Sequence, residues 1–498
     1  MKIFIVLIYV AALLGMGYVS MKKTKTLNDF FLGNRSVGPW VSAFAYGTTY
    51  FSAVLFVGYA GKVGWGFGLS SLWIVVGNAL LGSFLAWKVL AKRTRAMTAR
   101  LGAITMPEFL EKRYNSQAFR IIGALIIFIF FIPYSASVYM GLSYFFESIF
   151  GIPYAYALIF MACVTAVYLI MGGYFAVTMT SFIQGIIMII GVVIMLFYIV
   201  GSETVGGLTN VVPALSAIDP KLVAPVGPAG GISLFSMVIL TSLGAWGLPQ
   251  MVQKFYAIKN EKVINTAAWV TTGFSLLMAF GAYFTGSLSH LFFENLDRFG
   301  GNPDLITPTI IQETLPAAMA LVILLLVFSA SMSTLASLVL VSSSSIAVDL
   351  VQVVKPNADK GKSMMLMRVL CLVFVGFSLY LAVKPNAILS LMAFSWGTVA
   401  GSFLAPYVYG LFSRRVTSAG AWAGLITGFT ISVVFSIIFP EQIPLAGSLA
   451  MLVPLIVVPA VSAITSPLPA EHLEWVFGDE IKSDSTKEGR KWATNNMG

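Results

Sequence analysis

The sequence predicts an all-α membrane protein with thirteen transmembrane helices. Of its 498 residues, 58% are hydrophobic and only 10% are charged, and the mean hydropathy is +0.89. These values are typical of membrane proteins that cross the bilayer many times and fall outside the range of soluble domains. In addition, apolar runs long enough to cross about 30 Å of hydrocarbon recur along the whole chain. Two of these runs are interrupted by Gly and Pro at related positions.

The apolar runs define the predicted spans. They lie at 2–20, 39–60, 67–91, 119–148, 153–171, 176–200, 233–256, 264–291, 315–347, 365–383, 387–411, 419–439 and 445–465. The first run is followed by Lys22, Lys23 and Lys25 and has no small-residue cleavage site. We therefore expect a retained first span rather than a cleaved signal peptide.

The distribution of Lys and Arg predicts the orientation. If the N-terminus is outside the cell, the chain's 30 Lys and Arg lie almost entirely in cytoplasmic segments; the exceptions are Lys2, Lys62, Lys221, Arg298 and Lys384. This is the asymmetry of the positive-inside rule, and an odd number of spans then puts the C-terminus in the cytoplasm. Because the rule already explains the net charge of +10, we expect the lipid bilayer of the cell (inner) membrane as the partner surface and no nucleic acid.

Two spans break their own helical pattern. The second contains residues 47–52 (GTTYFS), and the seventh contains residues 244–249 (GAWGLP). The two are five spans apart, and an odd offset reverses the direction of travel across the membrane. Spans 2–6 and 7–11 therefore predict a pair of inverted five-helix repeats, with unwound backbone near the midplane. Such backbone frees carbonyl groups for a cation and helix ends for a substrate.

This organisation divides the chain into six parts. They are an extra first span with an inner loop (1–38), the first repeat (39–200), an outer loop (201–232), the second repeat (233–411), two peripheral spans (412–465) and a polar cytoplasmic tail (466–498). The tail is too short for a catalytic domain.

The ninth span carries hydroxyl groups on one face. Ala330, Ser333, Thr334 and Ser337 are spaced at i, i+3, i+4 and i+7, which places them on one stripe of a helix. A single hydroxyl in a membrane helix usually bonds to a carbonyl of its own helix. A whole stripe, set against an interrupted span, is better explained by a site that offers neutral oxygens to a small hard cation.

Few residues could support other chemistry. His290 and His472 are the only histidines, and Cys163 and Cys371 both lie in apolar runs. No paired-His metal site, nucleophile pair or disulfide framework is predicted, so we do not expect an enzyme. Proton-coupled carriers generally need a titratable group along the path, but the carboxylates lie near span ends, in loops or in the tail. Sodium is favoured because carbonyl and hydroxyl oxygens suffice to bind it.

Short motifs along residues 25–430 resemble those of a known family. They are, in order, residues 29–36 (DFFLGNRS), residues 104–109 (ITMPEF) followed by Arg113 and Tyr114, then Gly172 and Gly173 with Ala176 and Gln184, residues 330–334 (ASMST), and Arg415 with Gly420, Ala421 and Gly424. The ordered set resembles the sodium:solute symporter family, which includes carriers of proline, pantothenate, sugars, sialic acid and iodide. The resemblance implies the inverted-repeat fold of the leucine transporter, worked by alternating access.

The resemblance also implies sodium ligands. The family's shared sodium site corresponds here to the carbonyls of Thr48, Phe51 and Ala330 and the hydroxyls of Ser333 and Thr334. The acidic residue common in the family's sixth span corresponds to Ser181, so Ser181 and Ser337 form at best a neutral remnant of a second sodium site. We therefore expect one sodium per transport cycle.

The family's central pocket gives candidate substrate-binding residues. The corresponding positions are Tyr50, Ala53, Tyr134, Thr241, Ala245, Trp246 and Pro249, with Val54, Leu55, Phe394, Ser395 and Trp396 as neighbours. Aromatic residues in membrane spans mostly serve packing, and Tyr50, Tyr134 and Trp246 are the favoured contacts. Tyr50 replaces an acidic residue of the proline carrier, and both broken segments look more like the pantothenate branch than the proline branch.

Three classes of function are consistent with these patterns. The first is sodium-driven symport of a small organic acid, vitamin or amino acid by a monomer or weak oligomer. The second is a sodium-independent uniporter or channel, which would not need the hydroxyls of Ser333 and Thr334. The third is a membrane sensor that retains a carrier fold, which the short tail disfavours.

Overall fold

The computed structural model describes residues 2–21, 32, 35–354, 360–384 and 387–478. The Lys residues that follow the first span, part of the motif at 29–36 and residues 479–498 of the predicted tail lie outside these ranges. So do the side chains of residues 169–176, which include the Gly172 and Gly173 motif. The regular structure within the described ranges is helical, apart from one isolated bridge between Val37 and Ile258.

The helices of the first half precede residue 219. They are α1 (Lys2–Met21), α2 (Pro39–Tyr50), α3 (Ala60–Phe67), α4 (Leu72–Gly77), α5 (Ala91–Arg100), α6 (Met106–Tyr114), α7 (Gln117–Phe150), α8 (Tyr154–Val200) and α9 (Val211–Ile218). Two π-helical segments, Leu55–Tyr59 and Asn78–Leu90, and the 3₁₀ turns Gly68–Ser71 and Leu208–Asn210 connect them.

The second half begins with the 3₁₀ turn Pro220–Val223. Its helices are α10 (Gly231–Gly247), α11 (Pro249–Tyr256), α12 (Lys262–Ser287), α13 (Ser289–Phe292), α14 (Ile306–Thr314), α15 (Ala317–Ser344), α16 (Val351–Val354), α17 (Lys360–Val383), α18 (Ile388–Phe412), α19 (Ser418–Ile438), α20 (Ile443–Ile464) and α21 (Ala470–Phe477). The π-helical segment Ser345–Leu350 continues α15, and the 3₁₀ turns Asp297–Phe299, Pro303–Leu305 and Pro440–Gln442 lie in loops.

The described part of the chain contains nine helical stretches long and apolar enough to cross a membrane, or ten if the bent pair α10 and α11 is counted as one. Shorter apolar helices include Phe4–Val19 and Tyr154–Tyr168. The protein is therefore an all-helical membrane protein with many spans. The number thirteen stays a prediction.

The boundary between the second and third predicted spans lies later than the hydropathy pattern indicated. Residues 61–66, expected to be a loop, belong to α3. The chain turns instead at Gly68, whose φ of +58° is in the left-handed region. Glycine is needed here, because a Cβ would lie 2.4 Å from the Leu222 carbonyl oxygen and other residues rarely adopt this conformation.

The fifth and sixth predicted spans form a single helical run of 47 residues, α8. The hydroxyls of Tyr168 and Thr180 lie 2.5 Å apart. In a straight helix, twelve residues span about 18 Å, which is too far for this hydrogen bond. The run is therefore not straight between these two residues.

The helix α15 lies at the centre of the bundle, packed against α7 and α8, and its residues from 326 to 344 are all buried. Elsewhere, α3 and α12 approach with backbone against backbone. A Cβ added to Gly64 would lie 2.0 Å from the carbonyl carbon of Gly286, and one added to Gly286 would lie 1.7 Å from the Ala60 carbonyl oxygen. Small residues allow this closeness between membrane helices.

Candidate functional site

Two helices end inside the bundle at the segments that the sequence singled out. The helix α2 ends at Tyr50, and Phe51 is extended, with φ −110° and ψ 111°. The helix α10 ends at Gly247, Leu248 is extended, with φ −86° and ψ 119°, and α11 continues at an angle of 44°. The last carbonyls of an α-helix have no partner within the helix. Each break therefore exposes backbone oxygens in the interior of the bundle.

The end of α2 meets the hydroxyl stripe of α15. The Oγ1 atom of Thr48 lies 2.7 Å from Oγ of Ser333, and Oγ of Ser333 lies 3.0 Å from Oγ of Ser181 on α8. All three residues are buried. Hydroxyls from three helices thus converge on the middle of α15.

Thr334 belongs to the same cluster because its hydroxyl contacts backbone carbonyls of α2 and α15. Its Oγ1 atom lies 3.0 Å from the Ala330 carbonyl, 3.3 Å from the Thr48 carbonyl and 3.2 Å from the Thr49 carbonyl. The structure therefore gathers Thr48, Ala330, Ser333 and Thr334. Phe51, the fifth predicted ligand, lies in the break itself, and its side chain faces the cavity described below.

The donors of this cluster are hydroxyl and carbonyl oxygens without formal charge. Such oxygens are the ligands that hard cations prefer. A monovalent cation needs less charge compensation than a divalent one, since burying uncompensated charge is costly. The cluster therefore fits Na⁺. Within the cluster the hydroxyls bond to one another and to the carbonyls of Thr48 and Ala330.

Ser181 and Ser337, the two residues predicted as a remnant second sodium site, have different hydrogen-bond partners. Ser181 contacts Ser333 of the main cluster, whereas Oγ of Ser337 lies 3.0 Å from Oγ1 of Thr49 and accepts a hydrogen bond of 3.1 Å from Nζ of Lys254. Lys254 lies near the end of the predicted seventh span and was counted on the cytoplasmic side by its charge. It belongs to α11 and is only 1% exposed.

A cavity lies beside the break in α2. It is lined by Tyr50, Phe51, Ser52, Leu55, Tyr59, Asn78, Thr241, Tyr283, Met392 and Trp396. Among these described residues are aromatic rings, hydroxyls and one amide, but no acid or base. An apolar lining with a few convergent polar groups is typical of a site for a small molecule.

Tyr50 connects the two broken helices across this cavity. Its hydroxyl donates to the Thr241 carbonyl of α10 at 2.6 Å and lies 3.3 Å from Oδ1 of Asn78. Its ring stacks against Trp396 of α18, with centroids 6.0 Å apart and planes 14° from parallel. Tyr134 also contacts Trp396, with its ring edge-on to the indole ring and the two centroids 5.9 Å apart.

Other predicted substrate residues lie elsewhere. Ala53 packs against Gly141, and Ala245 is buried in the core. The Nε1 atom of Trp246 donates to the Leu81 carbonyl at 2.8 Å. Pro249 lines a separate cavity near Gln253 and Asp349. Of the seven predicted residues, the structure brings Tyr50 and Thr241 to the cavity wall and Tyr134 next to it.

Sequence reasoning missed several lining residues. Asn78 could have been noticed, because an amide in an apolar span is a functional candidate. Tyr59 and Tyr283 gave no such signal, since aromatic residues are common in membrane helices. The Tyr59 hydroxyl is buried without a hydrogen-bond partner in the part of the chain that the structure describes.

A charged cluster surrounds Asp349, in the π-helical segment that follows the C-terminal end of α15. The carboxylate of Asp349 accepts hydrogen bonds from Oγ1 of Thr105 at 2.6 Å and from Nε of Arg120 at 3.0 Å. Arg120 also pairs with Glu111 at 3.1 Å. The cluster ties the segment before α6, the start of α7 and the end of the ninth predicted span together on the predicted cytoplasmic side.

Comparison with known proteins identifies relatives over most of the chain. The sequence model of the sodium:solute symporter family matches residues 30–428. The chain is 31% identical over 426 residues to the osmoregulated proline transporter OpuE of Bacillus subtilis, covering 84% of this chain and 86% of the relative. It is 32% identical over 428 residues to the high-affinity proline transporter PutP of the same species, covering 84% and 89%.

Solved structures show the same fold. The substrate-bound, outward-open form of a Na⁺-coupled sialic acid symporter superimposes with a TM-score of 0.78 at 18% identity, covering 94% of this chain and 98% of the other. The transporter MhsT in complex with L-phenylalanine gives a TM-score of 0.52 at 13% identity, covering 86% and 99%. The extent of the family match and the identity to its relatives agree with the motifs and the geometry: the chain belongs to the sodium:solute symporter family.

Proposed function

We propose that this protein is a secondary active transporter that uses sodium entry to drive uptake of a small organic solute by alternating access. The observation that carries the proposal is the convergence of Thr48, Ser333 and Thr334 where α2 ends. Sodium is the coupling ion named for the family, and these neutral oxygens are the ligands it requires. Ion binding would join α2 to α15 and favour one conformation over the other.

The proposal includes the repeat architecture and the orientation. The breaks at Phe51 and Leu248 are the corresponding interruptions of two inverted repeats among thirteen spans, with the N-terminus outside and the C-terminus in the cytoplasm. Similar extended backbone at both breaks supports this pairing. The cluster around Ser333 would bind one sodium per cycle, since Ser337 contacts Lys254 instead.

The solute is proposed to carry a carboxylate, with proline as the first candidate. The cavity lining has no acid or base, but Phe51, Ser52 and Leu55 flank the start of the helix that follows the break. The amino end of a helix favours a carboxylate through its free N–H groups and its dipole. The relatives named above transport proline, whereas the broken segments resemble the pantothenate branch, so both solutes are direct tests.

Uptake into proteoliposomes tests the proposal. The purified protein is reconstituted and given labelled proline or pantothenate with an inward gradient of sodium or of choline. We expect accumulation above equilibrium only with sodium, abolished by a sodium ionophore, and a reversal potential that corresponds to one sodium per solute. Equal uptake in choline would overturn symport in favour of a uniporter. A ratio of two would overturn the single-site assignment.

A further inference from the structure

A lysine lies inside the bundle beside the hydroxyl stripe of α15. Lys254 is buried, and its Nζ donates to Oγ of Ser337 at 3.1 Å. Ser337 is one helical turn from Ser333 on the same face. Its hydroxyl also lies 3.0 Å from Oγ1 of Thr49. The ammonium group therefore contacts the same polar stripe that forms the candidate sodium cluster.

The ammonium group of a lysine and a sodium ion can both bind to the hydroxyl oxygens of this stripe. Both are cations, and both use the lone pairs of hydroxyl oxygens, the one by donating hydrogen bonds and the other by coordination. The Ser337 oxygen already serves the ammonium group. Lys254 therefore places an amine, which is a cation when protonated, beside the candidate sodium cluster.

The distance is short enough for the two charges to interact. Four residues of α-helix separate Ser337 from Ser333, a rise of about 6 Å. Unit charges about 10 Å apart, at an effective dielectric constant of about 20, change a binding constant by roughly tenfold. Salt screens such a buried pair much less than it screens surface charges.

We propose that the ammonium group of Lys254 is a tethered cation that weakens sodium binding at the Thr48, Ser333 and Thr334 cluster and so sets the sodium concentration at which the carrier works. This inference rests on the proposed sodium-coupled function. The charge sits on α11, the half-helix that follows the break at Leu248. Its distance from the cluster therefore depends on the geometry of that break, which would link sodium affinity to conformation.

Binding of ²²Na⁺ to the purified protein, without solute, tests the inference. Lys254→Met keeps the length of the side chain and removes its charge, while Lys254→Arg keeps the charge. Lys88→Met is the matched control, because Lys88 is a lysine on a helical segment that bonds to Asn265 outside the cluster. We expect Lys254→Met to bind sodium about tenfold more tightly, with Lys254→Arg and Lys88→Met close to the wild type.

The outcomes separate this inference from the proposed function. If the wild type shows no saturable sodium binding, the proposed function fails. If the wild type binds sodium and monodisperse Lys254→Met binds it equally or more weakly, the tethered-cation inference alone is overturned. Should Lys254→Met not be monodisperse, Lys254→Gln is measured instead, since its amide can still donate to Ser337 without a charge. The same tenfold criterion then applies.

Discussion

The side-chain oxygens of Thr48 and Ser333 lie 2.7 Å apart, although 285 positions separate the two residues in the sequence. One belongs to the last turn of α2 before its break, and the other lies in the middle of α15. The contact is between neutral groups, and net hydrogen-bond contributions of this kind are only about 1 kcal/mol. A bound cation can therefore reorganise it at low cost.

Removing the two hydroxyls of α15 should weaken sodium binding. We expect Ser333→Ala combined with Thr334→Ala to raise the sodium concentration for half-saturation at least about tenfold, because two oxygen ligands each worth about 1 kcal/mol are lost. Ser331→Ala is the control, since its hydroxyl bonds to the Val327 carbonyl of the same helix. Unchanged ²²Na⁺ binding in the double variant would contradict the assigned site.

Tyr50→Phe should weaken binding of the solute and leave binding of sodium unchanged. The change removes a hydroxyl from the cavity wall, and the loss of a hydrogen bond of about 1 kcal/mol between this oxygen and the solute corresponds to roughly a fivefold rise in KM. Sodium binding without solute should stay at the wild-type value. Labelled-solute uptake and ²²Na⁺ binding on the same preparation separate the two effects.

Tyr46→Phe is the matched control for this prediction. Tyr46 is one turn earlier in α2, and its hydroxyl also donates to a backbone carbonyl, that of Gly82, at 2.6 Å. Tyr46 does not line the cavity. Both variants should lose similar thermal stability, but only Tyr50→Phe should change KM. Equal KM values would remove Tyr50 from the solute site.

Asp304 should make stability depend on pH. Burial raises the pKa of this carboxyl from 3.8 to about 6, against the opposing effects of the Ile388 N–H group and Lys62. The folded protein then holds a proton that the unfolded chain releases, so the free energy of unfolding falls as pH rises from about 4 to 6 and is constant above that range. The size of the fall is up to about 3 kcal/mol.

Asp304→Asn tests this directly. The amide oxygen can still accept the hydrogen bond from the Ile388 N–H group, which is 3.2 Å in the structure, but it cannot ionise. The variant should therefore gain melting temperature over the wild type between pH 4 and 6 and keep that advantage at pH 7 to 8. A difference that shrinks as the pH rises would contradict the assignment.

Arg120 and Asp349 should behave as a coupled pair. Their side chains are 12% and 0% exposed, and removing one partner of a buried ion pair costs about 3–5 kcal/mol, because the other charge is left uncompensated. We expect Arg120→Gln and Asp349→Asn each to destabilise the protein strongly and the double variant to lose less than the sum. Denaturant unfolding of all four proteins in detergent gives the coupling energy.

The exposed pair Lys92 and Glu261 provides the comparison. Its side chains are 62% and 58% exposed, and exposed pairs contribute about 0–1 kcal/mol. Glu261→Gln should therefore have little effect on unfolding. Additive losses at Arg120 and Asp349, no larger than those at this exposed pair, would show that the buried pair is not a structural link.

Much of the hydroxyl cluster could be predicted because helical spacing alone places Ser333 and Thr334 on one face of the ninth predicted span. The family resemblance supplied Thr48 as the partner, and the structure brings the two together. The breaks could also be anticipated, because Gly and Pro mark positions where a membrane helix is interrupted. Helical spacing and the positions of Gly and Pro are local features of the sequence, so they can be read without knowledge of the tertiary fold.

The candidate solute cavity was less predictable because its wall is assembled by packing. Asn78, Tyr59 and Tyr283 come from three separate elements, and nothing in their neighbours in sequence indicates which way they face. Trp246 was a favoured contact, but it is not among the described residues that line this cavity, and its indole N–H group donates to the Leu81 carbonyl. The burial of Lys254 was not predicted either, because a lysine near the end of an apolar run looks the same in sequence whether its side chain is buried or exposed.

The glycine contact between α3 and α12 has a consequence for the proposed alternating access. The backbones of Gly64 and Gly286 lie so close that a methyl group has no room, so separating the two helices would break this packing. Should α3 and α12 move together in the proposed cycle, the non-helical pair Phe51 and Ser52 would serve as the hinge between them and α2.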